Sequence, residues 1–290
     1  MDDDIPKEVI DKAMRALERG LKSEKGKRLQ GDMSRAAKEA IRMSNEMRNA
    51  IAPDTLVEEP PPYIGKIEVH EHGHVVLEKM MGGELDIVNN ARVSFNSEAD
   101  EMDERNRGLI NFLMRERHSS PFEAVLFRFD VRAPLFVVRE WQRHRISSYN
   151  EESARYSVIN EDFYVPDKDY VRSQHGKPGA YYFEPIEDPE VVDEVRYHIE
   201  RAQKEAFRTY KHLLDTGVAK EVARTVLPVG MYSRFKWTVN LRSLLNFLSL
   251  RNHKHAQQEI RDFAEAVEEL VAEQLPFVME KWNEHGRFSI

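Results

Sequence analysis

Three consecutive prolines, Pro60-Pro61-Pro62, follow Val57-Glu58-Glu59 and divide the chain before any other feature is considered. Proline fixes φ, donates no backbone hydrogen bond and drives the preceding residue out of the helical region. Such a run continues neither a helix nor the middle of a sheet, so it reads as an extended linker. The 290 residues thereby separate into an N-terminal extension with its linker, residues 1–62, and a main domain, residues 63–290. In the extension, Val9, Ile10, Ala13, Met14, Leu17 and Leu21 form one apolar stripe at helical spacing. Ala36, Ala37, Ala40, Ile41 and Met47 form another, with Gly31 and Asp32 between them. Two helices are expected there.

In the main domain the periodicity alternates between strand and helix. Ile67 and Val69, then Val75-Val76-Leu77, predict strands, and a further short strand is expected over residues 91–95. Leu109, Ile110, Leu113 and Met114 give a buried face to a helix over residues 105–117. Val125, Phe127, Phe129 and Val131 alternate as a half-buried strand does. Pro134 then opens a helix expected to carry Phe136, Val137, Trp141 and the cationic group that follows. Further on, helices are expected over residues 193–216, closed by Gly217, and 218–227, stopped by Pro228. A strand over residues 232–239 and helices over 241–250 and 255–273 complete the reading. Strands and helices in this order predict an α+β domain.

Composition excludes several classes of function. The first residues, Met1-Asp2-Asp3-Asp4, are unlike a basic signal-peptide start, and no apolar run approaches the roughly 20 residues a membrane span requires. A cytoplasmic location with no membrane contact is the expectation. There is no cysteine, which removes disulfides, Cys-ligated metals and thiolate nucleophiles together. Asp and Glu number 51 against 43 Lys and Arg, a net charge of -8 that disfavours general attraction to a nucleic acid backbone. Within that acidic chain, no lysine lies between Lys79 and Lys168, yet eleven arginines do. Arginine presents a planar fork of donors, so this bias points to recognition of phosphate or carboxylate by geometry.

Polar groups concentrate in the stretch from Trp141 to Ser157, where Arg143-His144-Arg145 is followed, after seven residues, by Ser153. Three adjacent residues cannot all face one way on a helix, so the group is suited to a large ligand carrying phosphate. Ser153 is not read as a nucleophile, because no base and orienting acid stand near it in sequence. His70, His72 and His74 alternate, which on a strand would put three imidazoles on one face. Zinc sites draw ligands from several elements, so an exposed strand face is the preferred reading and no metal is expected.

Other blocks stand in a fixed order around that stretch: Ala91-Arg92-Val93-Ser94, His118-Ser119-Ser120-Pro121-Phe122-Glu123, Ala223-Arg224-Thr225-Val226-Leu227-Pro228, and residues 237–248, then Leu250-Arg251 and His255-Ala256-Gln257. In content and order they closely resemble those of the flavin-dependent thymidylate synthases, whose signature is Arg-His-Arg, seven residues and Ser. The resemblance runs from Lys66 to the C-terminus. It implies a mixed or antiparallel sheet flanked by helices, and conversion of deoxyuridylate (dUMP) to thymidylate (dTMP). It further implies FAD as cofactor, with 5,10-methylenetetrahydrofolate and NADPH as co-substrates, and a homotetramer with shared active sites. The missing cysteine fits, since the unrelated classical enzymes attack uracil with a thiolate.

Position by position, the resemblance implies that His118, Ser120, Arg143, His144, Arg145, Glu151, Asn240, Arg242 and Asn246 bind FAD. Glu140, Arg143, Glu151, Ser153, Ala154, Arg155, Arg224 and Arg251 match the nucleotide site. Arg251 is the catalytic candidate: always protonated, it would stabilise a deprotonated uracil ring as a donor and not act as a base. Many family members have Gln where this chain has Glu140. A carboxylate cannot donate to a pyrimidine carbonyl, so a ribose hydroxyl or a neighbouring arginine is its expected contact. The alternative reading is a non-catalytic nucleotide- or RNA-binding module, in which Tyr149, Tyr156 and Trp237 stack on bases.

Overall fold

The computed structural model describes residues 63–289, and the two helices expected before Pro60 lie outside the described residues. Five strands form one antiparallel sheet in the order β1-β2-β3-β7-β4. They are β1 (Gly65–Val69), β2 (Gly73–Met81), β3 (Leu126–Pro134), β7 (Tyr232–Asn240) and the edge strand β4 (Ser148–Glu151). A separate hairpin joins β5 (Arg172–Lys177) to β6 (Ala180–Pro185). The α+β expectation holds, with the helices α1 (Glu84–Arg92), α2 (Glu104–Arg115), α3 (Leu135–Trp141), α4 (Pro189–Asp215), α5 (Lys220–Ala223), α6 (Leu241–Arg251), α7 (Gln258–Gln274) and α8 (Pro276–Glu284).

Alternation along β2, β3 and β7 gives the sheet two unlike faces. Val75, Leu77, Phe127, Phe129, Val131, Phe235, Trp237 and Val239 are buried and belong to the main core with α3, α6 and α7. Trp141 at the end of α3 is fully buried, its ring edge-on to Trp237 at 5.2 Å and tilted over Phe247 of α6 at 4.6 Å. A smaller cluster of Phe163, Phe207, Tyr210, Ala223 and Met231 lies under α4 and α5.

Charges occupy the opposite face. Asp130, only 4% exposed, pairs across strands with Lys236 and Val76 and accepts hydrogen bonds from Arg234 Nε at 2.8 Å and Lys236 Nζ at 2.9 Å. Burial alone would raise its carboxyl, but bonds from Arg234, His74 and Lys236 outweigh burial and hold it far below the usual carboxylate range. A bulge at Glu78 turns that side chain onto Arg128 Nε, 2.9 Å away, and onto Lys236.

Four sequence expectations are corrected. Residues 91–95 are not a strand: α1 runs to Arg92 and a 3₁₀ turn follows over Val93–Phe95. Asp86 accepts from the Gly83 amide and starts the helix, and Ile87 and Val88 bury its inner face. The helix after Pro134 stops at Trp141, so Arg143-His144-Arg145 lies in the turn beyond it. Residues 218–227 form only the one-turn α5 and a 3₁₀ turn over Arg224–Val226. His70 and His72 lie in the β1–β2 turn, His70 with φ at 56°, so the three histidines do not share a strand face. The long helix α4 ends as expected before Gly217, whose φ of 86° suits a residue without Cβ.

Truncating Trp141 leaves a void where the sheet meets α6. Trp141→Ala is expected to cost about 3–5 kcal/mol of stability. Urea denaturation checks this, and an unchanged midpoint would show that the indole is not the packing centre described.

Candidate active site

A cleft of about 570 Å³ opens where the turn after α3 meets the start and end of α6. Arg143, His144, Arg145, Ile146, Ser147, Asn240, Arg242, Asn246 and Arg251 line it, together with Glu123, Trp237, Val239 and Leu250. Local rules put these groups there. Asn240 caps α6, its side chain accepting from the Ser243 amide at 2.8 Å. That cap fixes the start of a helix which presents Arg242 and Asn246 in its first turns and Arg251 as its last residue. A cation at a helix C-terminus faces the negative end of the helix dipole.

The turn carrying Arg143-His144-Arg145 is held through its carbonyls. Tyr149 Oη donates to the Trp141 carbonyl at 3.2 Å and to the His144 carbonyl at 2.8 Å, and Ser147 Oγ donates to the latter at 2.8 Å. These bonds fasten the turn to β4, on which Tyr149 stands. Arg143 and Arg145 are exposed along the rim, as is Ile146 at 79%. Arg242 pairs with Glu123 at 2.6 Å.

Arg251 lies deeper, 19% exposed, and is gripped on three sides. Its Nε donates to His144 Nε2 at 3.0 Å, one terminal nitrogen donates to Glu140 Oε2 at 3.1 Å and the other to the Glu140 carbonyl at 3.1 Å. His144 must therefore be the tautomer with its proton on Nδ1. Burial and the charges of Arg251 and Arg143 push its pKa down from 6.5 to about 4. The ring sits edge-on to Phe247 at 5.0 Å.

A second, smaller cleft of about 150 Å³ is lined by Glu151, Glu152, Ala154, Arg224, Leu227, Tyr232 and Ser233. Glu151 is anchored by Ser233 Oγ at 2.6 Å and Gln142 Nε2 at 3.1 Å. The neighbouring carboxyl of Glu152 is raised by burial and by Glu151, against Arg132 and Arg234. Of the residues matched by sequence, Arg143, His144, Arg145, Asn240, Arg242, Asn246 and Arg251 thus meet at one cleft, and Glu151, Ala154 and Arg224 at another. His118, Ser120, Glu140, Ser153 and Arg155 line neither. His118 is exposed against Phe112, while Ser120 opens the 3₁₀ turn Ser120–Ala124 that carries Glu123. Ser153 Oγ accepts from the Arg155 amide at 3.3 Å, and Arg155 reaches Glu221 at 3.5 Å. Glu123 was not among the expected site residues, although it lies inside a block that supplied others.

A cleft that gathers four arginines and two amides suits a large anionic ligand. Comparison with known proteins gives that class its family. The family described as "Thymidylate synthase complementing protein" matches residues 75–277. The flavin-dependent thymidylate synthase of Thermotoga neapolitana is 45% identical over 221 residues, which cover 76% of this chain and 95% of that protein. That of Thermus thermophilus is 42% identical over 222 residues, covering 76% and 78%. The crystal structure of a UMP/dUMP methylase, PolB, from Streptomyces cacaoi bound with 5-Br dUMP has a TM-score of 0.71 at 42% identity, over 77% of this chain and all of that one. The chain belongs to the flavin-dependent thymidylate synthase family. Among the described residues no helix is long and apolar enough to cross a membrane.

A depressed pKa at His144 has a directional consequence. The unfolded chain takes up this proton first, so the site's contribution to stability is intact above about pH 6.5 and is lost as pH falls through about 4. Proton-carbon NMR of the histidine rings, assigned by loss of one signal in His144→Gln, is expected to show His144 neutral at pH 6. A midpoint in the ordinary histidine range would contradict the buried, arginine-flanked environment.

Proposed function

We propose that residues 63–290 carry out FAD-dependent reductive methylation of dUMP to dTMP, with 5,10-methylenetetrahydrofolate as one-carbon donor and NADPH as reductant. The observation that supports this best is the larger cleft. Its cations Arg143, Arg145 and Arg242 suit a pyrophosphate, its amides Asn240 and Asn246 suit ring or ribose hydrogen bonds, and the exposed Ile146 and Leu250 suit a flat ring. These residues fit FAD, and the bound flavin would supply the reducing equivalents for the methylation, in a chain that has no cysteine to attack uracil as a nucleophile.

The chain's own groups bind and orient. With Nε2 engaged by Arg251, His144 keeps its Nδ1 proton and a ring edge for the cofactor side of the cleft. Glu151, Ser153, Ala154, Arg155 and Arg224 are the nucleotide set, in which Arg155 and Arg224 neutralise the phosphate. Arg251 serves the uracil: it stays protonated at any physiological pH, so its remaining N–H groups donate to a ring carbonyl and stabilise charge that develops when the ring nitrogen loses its proton. A homotetramer accounts for the separation of the two sets, because a second copy would complete a site of which one chain supplies two parts. The expected setting is cytoplasmic, with no nucleic acid or membrane partner.

Supplied with FAD, dUMP, methylenetetrahydrofolate and NADPH, the purified chain is expected to form dTMP and to carry flavin absorption. Arg251→Gln should lower kcat by about 10²–10³-fold, the usual loss for one transition-state donor. Absence of both product and flavin would overturn the reading. Sedimentation should give a tetramer, and a stable monomer would exclude shared sites.

A further inference from the structure

A segment outside every block that supplied a candidate reaches the larger cleft. Beyond α8 the chain turns back on itself: Gly286 has φ at 89° and Arg287 at 55°, and the Arg287 amide donates to the Trp282 carbonyl at 2.9 Å, which closes the helix. A positive φ is uncommon for a residue with a Cβ, so side-chain contacts are needed to hold Arg287 there. Both its terminal nitrogens donate to the Glu268 carboxylate, each at 2.5 Å, one also donates to Asn283 Oδ1 at 2.6 Å, and the guanidinium lies over the Trp282 ring, 4.5 Å from its centre. Glu268 in turn accepts from Asn252 Nδ2 at 2.7 Å, and Asn252 directly follows Arg251 at the end of α6. The next residue is fixed as well. The Phe288 carbonyl accepts from Trp282 Nε1 at 2.8 Å, and Arg117 lies over the Phe288 ring, 4.2 Å from its centre. Ser289 then emerges, exposed, and shares the lining of the cleft with Arg143, Arg145, Arg242 and Arg251. One strap of three residues thus joins the turn before His118, the end of α6 and the cleft.

We propose that Ser289 is a further FAD-contact residue, a hydroxyl on the wall of the cleft, and that Arg287 and Phe288 are positioning residues that hold it there. This rests on the reading of the larger cleft as the FAD site. The residue type suits the place. A serine hydroxyl both donates and accepts, so it can meet a phosphate oxygen or a ribose hydroxyl, and it adds no charge to a cleft whose cations serve the cofactor. A strap already pinned loses no freedom when the ligand arrives, whereas a loose one has to be ordered at that moment. Through Glu268 the strap and the helix end that carries Arg251 are fixed to the same carboxylate.

The chain has no cysteine, so Ser289→Cys places a single thiol on the wall. In the full chain, alkylation of that thiol by iodoacetamide is expected to slow at least about 10-fold when FAD saturates the protein, because thiol reactivity follows access. Thr209→Cys, on an exposed position of α4, is expected to react at the same rate with and without FAD. Unslowed alkylation of Ser289→Cys with FAD bound would overturn the proposal. Charge at the same position gives a second measure. Ser289→Glu offers the arginines a carboxylate that FAD has to displace, and it should weaken FAD binding at least about 10-fold, while Ser289→Thr stays within about 3-fold of the unmutated chain. In Arg287→Ala the strap is released, so adding Ser289→Glu should then cost less than about 3-fold. An undiminished loss in the double variant would overturn the positioning role.

A readout that needs no cofactor separates the strap from the reading of the cleft. Cations around a thiol favour its thiolate, so the pH midpoint of alkylation in Ser289→Cys is expected below the ordinary value of about 8.5, and to return to it when Arg287→Ala is added. If Arg287→Ala yields no folded protein, Glu268→Gln, which keeps the shape and removes the charge, is expected to show the same return in weaker form. An ordinary midpoint in Ser289→Cys alone would overturn the proposal whether or not FAD binds. A lowered midpoint in a chain that binds no FAD would keep the strap on the cleft wall and overturn FAD as the occupant.

Discussion

Trp141 is the last residue of α3, and its indole is buried where Phe235 and Trp237 of the sheet meet Phe247 of α6 and Phe263 of α7. A close-packed aromatic junction of this kind permits little sliding, because interiors pack at near-crystal density and tolerate few voids. The chain leaves this fixed point straight into Arg143-His144-Arg145. Phe247 lies one turn before Arg251 on the opposite side of the junction. The distance between the two halves of the cleft is thus set by apolar packing, and the polar contacts across it need only find partners already in reach.

How far this was legible from sequence differs by element. Strands whose residues alternate cleanly, such as Val125 to Val131 and Tyr232 to Val239, were placed within a few residues, since burying one face leaves register little freedom. Ala91 to Phe95 misled because apolar and β-branched content suits a strand, while the signal that decides the matter lies upstream, in the Asp86 cap and the Ile87-Val88 pair. The edge strand β4 was not foreseen, as Ser148-Tyr149-Asn150-Glu151 has only Tyr149 turned inward. The helix after Pro134 was expected to carry the whole Arg143-His144-Arg145 group, but the turn that follows it is held by contacts, Tyr149 Oη above all, that no local pattern reveals.

The candidate site divides along the same line. Residue identities came from short ordered blocks, and seven of them do converge on one cleft. Their separation from Glu151, Ala154 and Arg224 was not visible, because a motif records spacing along the chain and not which side of a strand pair it reaches. The carboxylate partners were equally hidden: Glu123 meets Arg242 across 119 positions and Glu140 meets Arg251 across 111. Pairings at that range depend on the fold being known first.

The contrast between His144 and its neighbours explains why this cleft uses arginines. A lysine buried among cations can shed its proton to escape repulsion, whereas an arginine cannot. In the cleft the histidine is the group that yields: it stays neutral and offers a lone pair to Arg251, and the arginines keep their charge. That exchange converts a repulsive neighbour into an acceptor. The charge is retained on the one group whose hydrogen bonds do not depend on pH in any physiological range. Stability at low pH is sacrificed for it, since protonating His144 would set a third cation beside Arg251 and Arg143 and remove the acceptor on Nε.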